Sequence, residues 1–109
     1  MSMTIAYIAH PISGDIEANL ADLRRIVKKI NLQYPMIMPF VPYYADVVSM
    51  DDRIPEERAR GIRNDIEIIS RKVPDQLWLT GKSISAGMQA EADAARAAGI
   101  PVYDYTNKL

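Results

Sequence analysis

The sequence predicts an α/β fold with three layers, a parallel sheet of four to five strands between two layers of helices. Short apolar runs alternate with longer amphipathic segments in the order β-α-β-α-β-α-β, which implies parallel strands joined by right-handed crossovers. The runs are apolar on both faces, as expected of strands covered on both sides. The chain has 109 residues, 49% of them hydrophobic. That is enough for one domain, residues 1–109, with a core that needs no disulfide or metal staple.

Each element has its own signal. Residues 5–9 form the first strand, closed by His10-Pro11. Ser13-Gly14-Asp15 is a turn with a candidate helix cap. Ile16, Leu20, Leu23, Val27, Ile30 and Tyr34 then recur at spacings of three and four, with Glu17, Asp22, Arg24, Arg25, Lys28 and Lys29 elsewhere on the wheel, so the first helix is amphipathic. Residues 36–41 are a second strand, placed at a sheet edge by Pro39. Residues 42–53 show no clear period and are expected to form a loop. A second helix starts at Pro55, a favoured first-turn residue, and runs to about residue 70. Residues 76–79 are the third strand and 81–85 a loop. A third helix over residues 85–98 stops at Gly99, and residues 101–103 are the last strand. In such sheets ligands bind beyond the carboxyl ends of the strands. That rule selects residues 9–15, 41–53, 79–87 and the tail after 103 as the segments to search.

Composition narrows the function. Thirteen Lys and Arg stand against 14 Asp and Glu, for a net charge of −1, so no basic excess exists to neutralise a nucleic-acid polymer. The absence of cysteine excludes disulfides, thiolate metal sites and a cysteine nucleophile, and fits a reducing cytoplasm. No apolar stretch approaches the ~20 residues of a membrane span, and the first residues lack the pattern of a secretion signal. The expectation is a cytoplasmic protein acting on a small molecule.

Two carboxylates fall on apolar helix faces. Asp65 lies three residues after Ile62 and four before Ile69, and Glu91 lies three after Met88 and four before Ala95. An ionised carboxylate is costly to bury, so such residues are paired, capped or functional. Singly, Asp65 reads as a salt-bridge partner of Arg58 or Arg63, and Glu91 as a first-turn carboxylate favoured by the helix dipole. Together on adjacent helices they are the equipment of glycosidic chemistry.

These residues resemble a known family. Ser85-Ala86-Gly87-Met88-Gln89-Ala90-Glu91, on a helix after an apolar strand, is similar to the nucleophile segment of the nucleoside 2-deoxyribosyltransferase superfamily. The nearer likeness is to its short members, the 2′-deoxynucleoside 5′-monophosphate N-glycosidases. Tyr7 followed by the turn through Gly14 resembles the family's opening strand, and Asn64-Asp65 its aspartate pair. The resemblance spans about residues 5–102. It implies a flavodoxin-like fold, a homodimer with shared active sites, and a role in nucleotide metabolism without cofactor or metal. Glu91 would form a covalent glycosyl-enzyme, Asp65 would bond or protonate the leaving base, and Tyr7 would orient Glu91. His10, Ser13, Gly14, Ser85, Gly87, Asn64 and Tyr43 are the expected substrate-binding residues. The turn His10-Pro11-Ile12-Ser13 lacks the arginine of the phosphate-binding members. Ser13, Gly14, the helix N-terminus, Ser85 and Lys82 are the groups left for a phosphate, and Asp15 opposes them. Nucleoside and 5′-monophosphate both remain open.

Other features read plainly. Gly81-Lys82-Ser83 imitates the end of a phosphate-binding loop, but Gln76 stands where its first glycine belongs. Asp51-Asp52 reads as a solvated turn and not a metal pair. Trp78 reads as core. The tail from Tyr103 to Asn107 either reaches a partner's site or frays. The competing functional reading is a non-catalytic nucleotide-binding or signalling module on the same fold.

Overall fold

The computed structural model describes residues 2–109; Met1 lies outside the described residues. The elements follow in the order β1 (Thr4–Ala9), α1 (Ile16–Gln33), β2 (Ile37–Phe40), α2 (Tyr43–Ser49), α3 (Pro55–Ser70), β3 (Gln76–Leu79), α4 (Ala86–Ala97) and β4 (Val102–Asp104). The four strands are parallel and lie in the order β2-β1-β3-β4. This is the order of flavodoxin-like doubly wound sheets. β2 takes the edge position that Pro39 requires.

Because β1 pairs with both β2 and β3, the chain winds one way to β2 and then back across β1 to β3. The two crossovers leave their helices on opposite faces. Alternation along β1 makes this concrete. His10, just past the strand, reaches Asp22 of α1 at 2.9 Å, whereas the Tyr7 hydroxyl donates to Glu91 of α4. Leu20, Leu23, Ile26 and Ile30 bury the inner stripe of α1, and Ile69, Met88, Ala92 and Ala95 that of the opposite layer. The two alanines let α4 sit close against the sheet.

The caps fall where the turn chemistry places them. Asp15 accepts from the Ala18 amide at the start of α1, and the Ser85 hydroxyl accepts from the Met88 amide at the start of α4. Pro55 opens α3. Gly99 follows α4 with φ of +77°, the left-handed stop for which glycine is suited.

Two expectations are corrected. Residues 42–53 are not all loop, since α2 occupies Tyr43–Ser49. Tyr43, Val47 and Met50 have helical spacing after all, but two turns are too short for a period to stand out. Packing holds this short helix: Tyr43 is buried in the core and its hydroxyl donates to the Ile8 carbonyl at 2.5 Å. Of the two readings of the tail, fraying does not hold. The Tyr105 amide bonds the Leu79 carbonyl and the Asn107 amide the Gly81 carbonyl, both at 2.8 Å, while the Tyr105 ring lies 4.5 Å from that of Trp78.

Candidate functional site

The carboxyl ends of β1 and β3 meet at the point where the winding reverses. The Thr80 amide and hydroxyl both donate to the Ala9 carbonyl, at 2.9 and 2.8 Å, and hold the two ends together. Gly81 follows with φ of +86°, and a Cβ there would lie 2.7 Å from Pro11 Cδ and 3.2 Å from His10 Nε2. Any side chain at that crossing would strain the left-handed backbone and force Pro11 to shift.

A cleft partly open to solvent lies over this junction. Its floor carries Asp65 from α3 and Glu91 from α4, 6% and 8% exposed. Tyr7, fully buried beneath them, donates its hydroxyl to Glu91 Oε2 in a short hydrogen bond. Asp65 Oδ1 is buried with no hydrogen-bond partner. Buried acceptors are nearly always satisfied, so an orphan in a cleft marks a place for a ligand's donor. Neither salt bridge considered for Asp65 forms; the ion pairs of the structure lie elsewhere.

Burial sets the electrostatics. It pushes Asp65 up to about 8, aided by the negative charges of Glu91 and Asp46 and opposed by the Tyr7 hydroxyl. It pushes Glu91 up to about 7, again against the Tyr7 hydroxyl. Burial and the neighbouring carboxylates raise Tyr7 and Tyr43 well above the usual phenol range, so both remain donors. Burial thus favours keeping a proton on the pair near neutral pH, and the hydrogen bond that Tyr7 donates to Glu91 favours Glu91 as the ionised member.

Of the residues singled out in the sequence, His10, Ser13, Tyr43, Asp65, Ser85, Gly87 and Glu91 line the cleft. Tyr7 acts from below. Two expected binding residues lie outside. Asn64 bonds Asp46 Oδ2 and accepts from Arg60 on the flank of α3, because its neighbour Asp65 takes the inward direction and a helix turns about 100° per residue. Gly14 lines a separate shallow surface beside α1, since its turn is drawn away by the Asp15 cap. His10 reaches the cleft, but both ring nitrogens are engaged, by the Pro11 carbonyl and by Asp22. The Tyr43 hydroxyl is likewise committed to the sheet, leaving its ring as cleft wall.

The sequence selected residues 41–53 as a segment to search, but of the outer wall it singled out only Tyr43 as a binding residue. Asp46, Val47 and Met50 come from α2 and its end, Asp52 from the turn after it, and Glu57, Arg58, Gly61 and Ile62 from α3. Asp52 is not a purely solvated turn residue: it accepts from the Ser13 hydroxyl at 3.0 Å. The helical spacing of Tyr43, Val47 and Met50 was the signal for this wall. Among the described residues no group of three His, Cys, Asp or Glu side chains is placed to hold a metal ion, and no helix is long and apolar enough to cross a membrane.

Comparison with known proteins agrees with this architecture. A solved structure of a 2-deoxyribosyltransferase from the psychrotolerant bacterium Bacillus psychrosaccharolyticus matches with a TM-score of 0.65 and 19% identity, over 97% of this chain and 76% of that one. That protein is described as a biocatalyst for the synthesis of antiviral and antitumoral nucleosides. The likeness establishes a shared fold. Among curated proteins nothing matches. A family model described as a domain of unknown function (DUF7768) matches residues 4–105, and the chain belongs to that family.

Proposed function

We propose that the protein cleaves the N-glycosidic bond of a nucleoside or nucleotide, as a hydrolase or a glycosyltransferase, through a covalent glycosyl-Glu91 intermediate. The observation that carries this reading is the orphan Oδ1 of Asp65 beside a Glu91 oriented by Tyr7, on the floor of one cleft. The shared fold with a deoxyribosyltransferase supports it.

In the first step the Glu91 carboxylate attacks the anomeric carbon as the bond from that carbon to the base nitrogen breaks. The bonding pair leaves with the base, and Asp65 delivers its proton to that nitrogen. In the second step Asp65, now a carboxylate, takes a proton from water as the water oxygen displaces Glu91 from the sugar. A second base in place of water gives transfer. Both steps use the proton that burial favours keeping on the pair. The Tyr7 hydrogen bond favours the ionised form of Glu91 and fixes its direction. The open side of the cleft is the expected place for a second subunit's wall, in a homodimer with residues 1–109 as its domain.

Incubation with a panel of nucleosides and their 5′-monophosphates, following free base by chromatography, tests the reading. Native protein is expected to release base, and Glu91→Ala to lose that release. Base release undiminished by Glu91→Ala overturns it. Ligand binding by calorimetry with no turnover would favour the non-catalytic nucleotide-binding module. Addition of a second free base separates transfer from hydrolysis by the appearance of a new nucleoside.

A further inference from the structure

We propose that Gly61 is a specificity-determining residue: its missing side chain keeps room for the fused second ring of a purine base, so the cleft favours purine over pyrimidine substrates. This rests on the N-glycosyl reading above and names the class of base that reading leaves open.

Gly61 stands in the interior of α3. Glycine weakens a helix interior relative to alanine, so its presence there calls for a reason. The backbone supplies none: the glycines with positive φ are Gly14, Gly81 and Gly99. Packing supplies none either. A Cβ on Gly61 would lie 3.8 Å from Asp46 Cβ and 4.0 Å from Met50 Cε, ordinary contact distances, unlike the 2.7 Å collision at Gly81. The Asn64 amide donates to Asp46 Oδ2 at 3.2 Å and ties α2 to α3, and a methyl group fits beside that bond without parting the helices. What the methyl group would take is room in the cleft, which Gly61 lines.

That room is placed for a base. Residues four apart share a helix face, so Gly61 lies about 6 Å along α3 from Asp65 on the same side. The buried, unpartnered Asp65 Oδ1 marks where a ligand's polar edge meets the floor. Met50 borders the space at Gly61, and Val47 and Ile62 line the same cleft, apolar surface of the kind that covers a flat ring. A base that meets Asp65 rests its first ring on the floor. A pyrimidine ends within that helical turn. A purine carries its second ring outward, to the bare backbone of Gly61.

The test compares 2′-deoxyadenosine and 2′-deoxyguanosine with 2′-deoxycytidine and thymidine, as nucleosides and as 5′-monophosphates, by kcat/KM for base release and by calorimetric Kd. Native protein is expected to favour purines over pyrimidines by at least about tenfold within the class it accepts. Gly61→Ala should cut that ratio by at least about tenfold, and Gly61→Leu should cut it further. Gly61→Ala should at the same time raise the melting temperature by about 3–6 °C, as glycine-to-alanine exchange does in a helix interior with room for the methyl group. Opposite signs in stability and purine use separate a reserved space from a packing role. The proposal is overturned by a native protein without purine preference, by a ratio that Gly61→Ala leaves in place, or by a fall in melting temperature. Purine-selective binding that Gly61→Ala weakens, without base release, overturns the N-glycosyl reading while sustaining the role of Gly61; binding of no nucleoside or nucleotide overturns both.

Discussion

The two faces of the sheet treat buried polar groups in opposite ways. Toward α1, His10 is bonded through both ring nitrogens, to the Pro11 carbonyl and to Asp22, and Asp22 is bonded in turn by Arg25. Partial burial pushes Asp22 up, but the bonds from His10 and Arg25 outweigh it and hold the carboxyl below its usual range. Toward α3 and α4, Asp65 and Glu91 have no cationic partner, and burial carries both far above theirs. β1 supplies Tyr7 to one face, and His10, just past its end, turns to the other. A paired carboxylate supports the fold; an unpaired one in a cleft is held ready for a ligand.

Substitutions that break this asymmetry should have graded effects. Glu91→Ala removes the proposed nucleophile and should lower base release by at least about 10³-fold, measured by single-turnover kinetics. Asp65→Asn keeps shape but carries no transferable proton, and should cost about 10²–10⁴-fold for nucleosides whose base needs protonation. Tyr7→Phe should cost about 10- to 100-fold, the worth of a hydrogen bond to a charged group. It should also move the acid limb of the kcat/KM profile to higher pH, because the lost bond favoured ionised Glu91. In the native protein that profile should be a narrow bell bounded by groups near 7 and 8.

Stability gives the next contrast. Asp65 and Glu91 have raised values in the folded state, so the native protein binds more protons than the unfolded chain between the ordinary carboxylate range and about 8. Stability is then fullest at acid pH and is lost as pH rises through 7 and 8. The melting temperature should fall across that window, and Asp65→Asn should flatten the fall. The smallest effect on chemistry is expected from Asp22→Asn on the opposite face. It should reduce stability by about 1–3 kcal/mol, read by urea denaturation, and leave the pH profile in place.

Most of this asymmetry was readable before any coordinates. The three-and-four spacing around Asp65 and Glu91 put both on buried faces, and Asp15, Pro55, Ser85 and Gly99 marked helix ends by their own backbone chemistry. What escaped was short or depended on tertiary contacts. α2 has too few turns to declare itself, and Asp46 and Met50 of the cleft wall were lost with it. Asn64 was misplaced because adjacency in sequence is divergence on a helix. The engagement of Ser13 by Asp52 joins residues 39 positions apart, which no local pattern reports.

Gly81 carries a consequence for how the protein can change. Its missing methyl group sets how closely the ends of β1 and β3 approach, and the cleft floor stands on that approach. A Gly81→Ala substitution touches no reacting group, yet strains the left-handed backbone and drives a carbon into Pro11. A conditional phenotype is the natural result: a protein able to assemble when cool and among the first to fail on warming, with its carboxylates chemically intact.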